Sequence, residues 1–241
     1  MSAFRNWAVT VLAATALVGC SSSSPSGQPT PAFPSDQGAT QEAAALLALM
    51  DTAQVPFSAT LSERITDSNS DAKINGAVNV ADIQTGELSV IGLDGGVVTT
   101  VYLTLTRNAS YHRTGEGPWT RTERAAEPLV ADHRPLVRAL LGNNPASYRG
   151  MEKLRTRRGG QAYRLSGRLP VAELREAVST RNLQRLAEHH IADCGTDLLV
   201  NTDGRLSELT VDCAGDGYQL TSTLDLSEFG PVTEPEAPTG Q

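Results

Sequence analysis

The sequence predicts an α+β fold, a curved antiparallel sheet with helices covering its concave face. Three observations carry this. From Ser58 onward, most of the chain alternates apolar and polar residues with the period of a strand. Glycine turns separate these runs. Only four short stretches have helical spacing. A long antiparallel meander must cover one face of its sheet. Aromatic residues make up only 5% of the chain, so aliphatic side chains must provide the cover.

The first residues stand outside that fold. Met1 to Asn6 is short and polar with one cation, Arg5, and Trp7 to Val18 is apolar apart from Thr10 and Thr15. Such a run is too short to span a bilayer permanently and reads as an export signal, residues 1–19. Leu17, Val18, Gly19 and Cys20 match the bacterial lipobox: an aliphatic residue, a small or aliphatic one, a small one, then the cysteine whose thiol takes diacylglycerol and whose freed amine is acylated. The competing reading is an ordinary secreted chain with a chance cysteine at the cut site. Cys20 is expected to be lipidated, and no cofactor is expected beyond that covalent lipid. Two or three acyl chains anchor durably where one is marginal.

Residues 20–38 read as a disordered tether, rich in Ser, Pro and Gly and unable to bury a core. A flexible chain of that length reaches roughly 20–25 Å. Residues 39–232 are expected to form one domain, and 233–241, "TEPEAPTGQ", a disordered tail. The formal net charge is −7. Removing Arg5 with the signal leaves one positive charge fewer, and an acidic chain is a poor nucleic-acid binder.

Within the domain, Thr40 to Gln54 reads as a helix with Ala43, Leu46, Leu47 and Met50 on one stripe, ended by Pro56 and Phe57. Strands follow as far as Arg124. In "VVTTVYLTLT", Val101, Leu103 and Leu105 share a face with Val97 and Thr99. Gly86, Gly95-Gly96 and Gly115 to Pro118 punctuate the hairpins. "RPLVRALLGNN" is a short helix with Leu136, Val137, Leu140 and Leu141 on one side and Gly142 as terminator. A strand pair turning at Gly159-Gly160 puts Leu154, Thr156, Tyr163 and Leu165 on one face. Lys153, Arg155, Arg157, Arg164 and Arg168 lie on the other. That basic stripe reads as a solvated face, with contact to anionic headgroups as the alternative. "PVAELREAV" and "RNLQRLAEHHI" read as helices, His190 being a core or lid residue.

The last hairpin contains the other two cysteines, in "CGTDLLVNTDGRLSELTVDC". With Asp203-Gly204 as a two-residue turn, Thr202 pairs with Arg205, and the same register sets Cys194 opposite Cys213. Opposed residues have a separation suited to a disulfide, and an exported chain meets an oxidising compartment. His189, His190 and Cys194 are an incomplete set for zinc, and no metal site is read. The final strand, "GYQLTSTLDLSEFG", puts Tyr218, Leu220, Leu224 and Leu226 on one face. No nucleophile elbow, zinc-protease helix or phosphate loop is present, so no catalytic residue is assigned. Whether the sheet's apolar face fills a core or lines a greasy cavity is not decided by pattern.

Five phrases, in order, resemble the LppX/LprG-type lipoproteins of actinobacteria, which share the LolA-like half-barrel. They are "GPWT" at Gly117 to Thr120, the leucine-rich helix Leu136 to Leu141, Tyr163 to Pro170, "LVNTDGRL", and "LSEFG". The segment from Pro170 to Cys194 departs from that pattern, being more helical and charged. The resemblance implies an extracytoplasmic, membrane-anchored carrier of acylated lipid or glycolipid, with an envelope transporter as a further partner. It makes Val101, Leu103, Leu105, Tyr163 and Leu165 the expected cavity wall. Leu136, Val137, Leu140 and Leu141 become the expected lid. The alternative is a lipid-anchored protein-interaction module with a filled core.

Overall fold

The structure, a computed structural model, describes residues 36–94, 96–124, 128–154 and 159–239. The export signal, Cys20, most of the tether, Arg155, Thr156 and Arg157 lie outside the described residues. The elements are α1 (Asp36–Met50), β1 (Phe57–Asp67), β2 (Ser70–Val80), β3 (Thr85–Asp94), β4 (Val97–Leu105), β5 (Ser110–Thr114) and β6 (Thr120–Thr122). After these come α2 (Arg134–Asn143), β7 (Tyr148–Lys153), β8 (Gln161–Pro170), α3 (Thr180–Glu188), β9 (Asp193–Asn201), β10 (Leu206–Gly215) and β11 (Tyr218–Gly230).

The strands form one unclosed antiparallel sheet in the order β6-β5-β4-β3-β2-β1-β11-β10-β9-β8-β7. Consecutive strands pair within β1–β6 and within β7–β11, β6 and β7 form the two edges, and β1 meets β11 so that the first and last strands lie at the centre. The period-two alternation therefore becomes a two-faced sheet. Its registers line up one row across nine strands: Val101, Val90, Ile74, Glu63, Leu224, Leu209, Leu198, Leu165 and Tyr148. Eight members are apolar or aromatic and one is an acid.

One end of that row is closed core. Leu198, Leu165 and Tyr148 are buried with Leu136, Val137, Leu140 and Leu141 of α2. Gly167 of β8 lets α2 approach, because a Cβ there would come 2.9 Å from Leu140 Cδ2 and 3.0 Å from Ser147 Oγ. Leu46 and Met50 of α1 are buried, and the Tyr148 hydroxyl donates to Glu42 Oε2 at 2.7 Å, tying α1 to β7. Leu47, expected on the buried stripe, is exposed, and Leu49 packs against the core with Ala43.

Several expected boundaries move. α1, Asp36–Met50, takes in residues 36–38 of the expected tether. It stops at Met50 because Asp51 and Thr52 donate to Ala48 and Leu49 in a tight final turn. Gly86 lies in β3, where a Cβ would press on the Ala77 carbonyl oxygen at 2.6 Å. "PVAELREAV" is not an α-helix: Val171–Leu174 makes a single 3-10 turn, and Ser179 then caps α3 by accepting from the Asn182 amide. The tail is not wholly free. The Thr233 amide donates to Asn79 Oδ1 at 3.1 Å, Asn79 Nδ2 donates back to the Thr233 carbonyl at 2.7 Å, and Glu234 pairs with Arg107 at 2.8 Å.

The disulfide between Cys194 and Cys213 is present, with a Cα separation of 4.4 Å. The turn above it differs from the expected one. Asn201, not Thr202, pairs with Arg205, and the Asn201 side-chain oxygen accepts from the Asp203 and Arg205 amides. Gly204 takes the left-handed conformation (φ 76°) that closes a three-residue loop. This moves the register by one residue. A bulge between Leu206 and Glu208 moves it back, so Leu209 faces Leu198 as the simpler turn requires.

Candidate functional site

The rest of the row is not covered by α2, and from Val90 to Leu209 it floors a cavity of about 590 Å³. β1 contributes Leu61, Glu63 and Ile65, and β2 contributes Ile74. Leu88 and Val90 come from β3 and Leu103 from β4, while Leu209 and Leu224 close the floor from β10 and β11. These positions share a face because the registers hold Leu103 beside Leu88, Val90 beside Ile74, and Glu63 between Ile74 and Leu224.

Two loops form the roof. The first is Pro128 to Ala131, with Leu129 turned to the cavity. Gln84 fastens it: its side-chain amide donates to the Val130 carbonyl and accepts from the Val130 N–H, each at 2.8 Å. The second runs from Arg175 through Val178 to Asn182, the link into α3. Arg175, Glu176, Ser179 and Thr180 are exposed and carry the lining out to solvent. α3 is held at β1 by the ion pair of Arg185 with Asp67. Burial pushes the Asp67 carboxyl up, but the Asn69 and Ser70 hydrogen bonds and Arg185 outweigh it and hold the acid low.

The expected wall and lid residues separate. Leu103 lines the cavity. Val101 continues the row one strand beyond Val90 and is outside the lining, and Leu105 is buried opposite Gly86. Leu136, Val137, Leu140 and Leu141 roof the closed half instead, because Gly167 lets α2 settle directly on β8. Leu165 is fully buried beneath them. Tyr163 packs its ring 6.5 Å from that of Tyr148. The cavity is roofed by the two loops, whose short irregular sequences have no period to read.

One cavity residue had a signal in the sequence. In "TLSERITD", Glu63 falls in phase with Leu61 and Ile65, an acid on an otherwise apolar strand face. Its carboxyl is half-buried, and the Ser222 hydroxyl donates to Oε1 at 3.1 Å from the neighbouring strand. Burial pushes the Glu63 carboxyl up, and the Ser222 hydrogen bond offsets part of the rise.

Two members of the basic stripe, Arg164 and Arg168, are ion-paired. Arg164 bonds Glu152 and Asp197 at 3.0 Å each, and Arg168 pairs with Asp193. A larger cavity of about 740 Å³ includes Thr60, Glu208 and Asp225, which alternate out of phase with Leu61, Leu209 and Leu224. Glu208 and Asp225 stand directly opposite one another, and burial pushes both carboxyls up. Leu154, Leu226 and Phe229 line the same cavity, so its surface mixes carboxyls with apolar side chains.

The sheet and its covering helices are similar to the crystal structure of LprF from Mycobacterium bovis, with a TM-score of 0.50 and 14% identity over 83% of this chain and 97% of LprF. The chain has the LprF fold. The lipoprotein LppX from Mycobacterium tuberculosis superposes with a TM-score of 0.43 and 10% identity, over 83% of this chain and 100% of LppX. A LolA superfamily protein from Nitrosomonas europaea gives 0.27 and 10%, over 80% and 94%. No protein-family model matches the chain, and no curated protein matches it. Among the described residues, no helix is long and apolar enough to cross a membrane.

Proposed function

We propose that the protein is a membrane-anchored, extracytoplasmic lipoprotein that binds acylated lipid or glycolipid in the 590 Å³ cavity and carries it across the cell envelope. The observation that carries this reading is the cavity's floor, in which Leu61, Ile65, Ile74, Leu88, Val90 and Leu103 present aliphatic surface from four adjacent strands. Its volume lies within the range of roughly 300–1,000 Å³ typical of small-ligand sites. A lipid chain leaving a bilayer exposes hydrocarbon to water at about 0.8 kcal/mol per CH₂. An aliphatic floor under two loops reduces that penalty.

The anchor belongs to the same proposal. A diacylated Cys20 followed by the Ser- and Pro-rich residues 21–35 would keep the folded domain near the membrane that supplies its ligand. The LprF fold is consistent with this reading. The chemistry is binding rather than catalysis: the floor is aliphatic with one carboxyl, Glu63, among its side chains, the polar lining residues Arg175, Glu176, Ser179 and Thr180 lie on the roof at the solvent edge, and an envelope transporter is the partner that would receive or deliver the lipid.

Organic extraction of protein purified from its native host, followed by mass spectrometry, tests the reading. Acyl lipid at close to one molecule per chain is the expected result. Extraction of no lipid from natively folded protein would favour an interaction module instead.

A further inference from the structure

Glu63 interrupts an aliphatic surface at its centre. Its cross-strand neighbours on the cavity face are Ile74 and Leu224, and Leu61 and Ile65 flank it along β1. A leucine at this position would complete the floor. Leaving a carboxyl in such surroundings without full hydrogen bonding is unfavourable. Ser222 satisfies Oε1. Among the described residues no donor is recorded on Oε2. The charged residues that share the lining, Arg175 and Glu176, are exposed on the roof loop, and Arg175 Nε donates to the Ala172 carbonyl. Asp67, in phase with Glu63 along β1, is occupied by Arg185.

We infer that Glu63, held by Ser222, is a polar anchor on the cavity floor that selects an uncharged, hydroxyl-bearing amphiphile. The inference rests on the lipid-binding reading and narrows the ligand class within it. The ligand's hydroxyl donates to the free oxygen of Glu63 while its hydrocarbon lies along Val90, Ile74 and Leu224. An anionic head group brought to the same place would face the carboxylate at like charge. The acid therefore favours a neutral polar group and disfavours a free fatty acid that enters head first. The hydroxyl can belong to a glycerol or sugar head group or to the acyl chain itself.

Four probes with the same chain length separate these cases. Methyl oleate has no hydroxyl, methyl ricinoleate adds one on the chain, monoolein carries hydroxyls on its head group, and oleate is an anion. Each is titrated into lipid-stripped wild-type protein, Glu63→Gln and Glu63→Leu, with circular-dichroism melts to confirm folding. At least one hydroxyl probe should bind wild-type protein about tenfold more tightly than methyl oleate, the scale of one hydrogen bond to a charged group. Glu63→Leu should remove that preference while keeping or improving methyl oleate binding. Glu63→Gln, which retains the shape and an acceptor oxygen, should keep part of it and bind oleate better than wild type does. If Glu63→Leu does not fold, the Glu63→Gln comparison and Ser222→Ala carry the test.

Equal binding of methyl oleate and both hydroxyl probes to wild type overturns the inference and leaves the lipid reading intact. So does a hydroxyl preference that survives Glu63→Leu. Tighter, Glu63-dependent binding of oleylamine than of any hydroxyl probe overturns the neutral-ligand assignment in favour of a cation. Failure of every probe to bind wild type overturns both the inference and the reading beneath it.

Discussion

The imidazole of His133 donates from Nε2 to the Gly204 carbonyl oxygen across 3.1 Å, joining the start of α2 to the β9–β10 turn. The ring is almost fully buried. Burial lowers its pKa from 6.5 to about 4, against the opposing effects of the Gly204 bond and Asp132. The unfolded chain therefore takes up a proton near pH 6.5 that the folded chain refuses until about pH 4. This contribution to stability is complete above pH 6.5 and is lost as pH falls towards 4. At about 1.36 kcal/mol per pH unit it amounts to about 3 kcal/mol. Denaturant melts of wild type should show that loss across the window. His133→Gln, which keeps a donor and cannot titrate, should flatten it. Parallel profiles for the two proteins would show that His133 is not the group responsible.

Reducing the Cys194–Cys213 bridge should destabilise the fold by about 3 kcal/mol, the loop-closure value for a span of this size. Urea melts with and without reductant give the difference. Non-reducing peptide mapping should recover the two cysteines in one linked peptide, and recovery as free thiols would contradict the pairing.

Gly76 and Gly92 should respond in opposite ways to alanine. A Cβ at Gly76 would come 2.0 Å from the Glu87 carbonyl oxygen, a backbone atom that moves only if β2 and β3 part. Gly76→Ala is expected to destabilise by about 3 kcal/mol or more. Gly92 has open space where its Cβ would stand, so Gly92→Ala should change stability by less than about 1 kcal/mol. Similar melting curves for the two variants would contradict the β2–β3 register.

Cys20→Ala should leave the chain without acyl mass, either uncut or shed from the membrane, as mass spectrometry and carbonate washing would show. A variant still lipidated and membrane-bound would remove the anchor from the account.

The sheet was legible because alternation survives in nearly every strand, and the disulfide because paired cysteines share a register. That register came out right even though its turn did not: the longer loop at Asn201 to Arg205 and the bulge at Leu206 to Glu208 cancel. The cavity's extent was not legible. Leu103 and Leu165 have the same strand pattern, yet one faces space and the other lies beneath α2. What separates them is Gly167, which admits α2, and Gln84, which pins Val130 from far along the chain. Neither is periodic. The Thr233–Asn79 contact was hidden for the same reason, since one side chain holding one peptide group leaves no pattern.

In the closed half of the sheet, Leu165→Ala should leave a void and cost about 2–5 kcal/mol, with little change in lipid affinity. Denaturant melts and an acyl-probe titration on the same sample give both quantities. A stability change below about 1 kcal/mol would show that this half is not packed.

The account turns on whether Leu103 faces a lipid or a packed core, and Leu103→Trp decides it. Lipid-stripped wild type and variant are compared by denaturant melt and by titration with monoolein. Because Leu103 borders the cavity, the larger ring should enter that space, keep stability within about 1 kcal/mol of wild type, and weaken lipid binding tenfold or more. A variant destabilised by about 1–3 kcal/mol or more, whose folded fraction binds monoolein as wild type does, would place Leu103 in a filled core and contradict the lipid-carrying cavity.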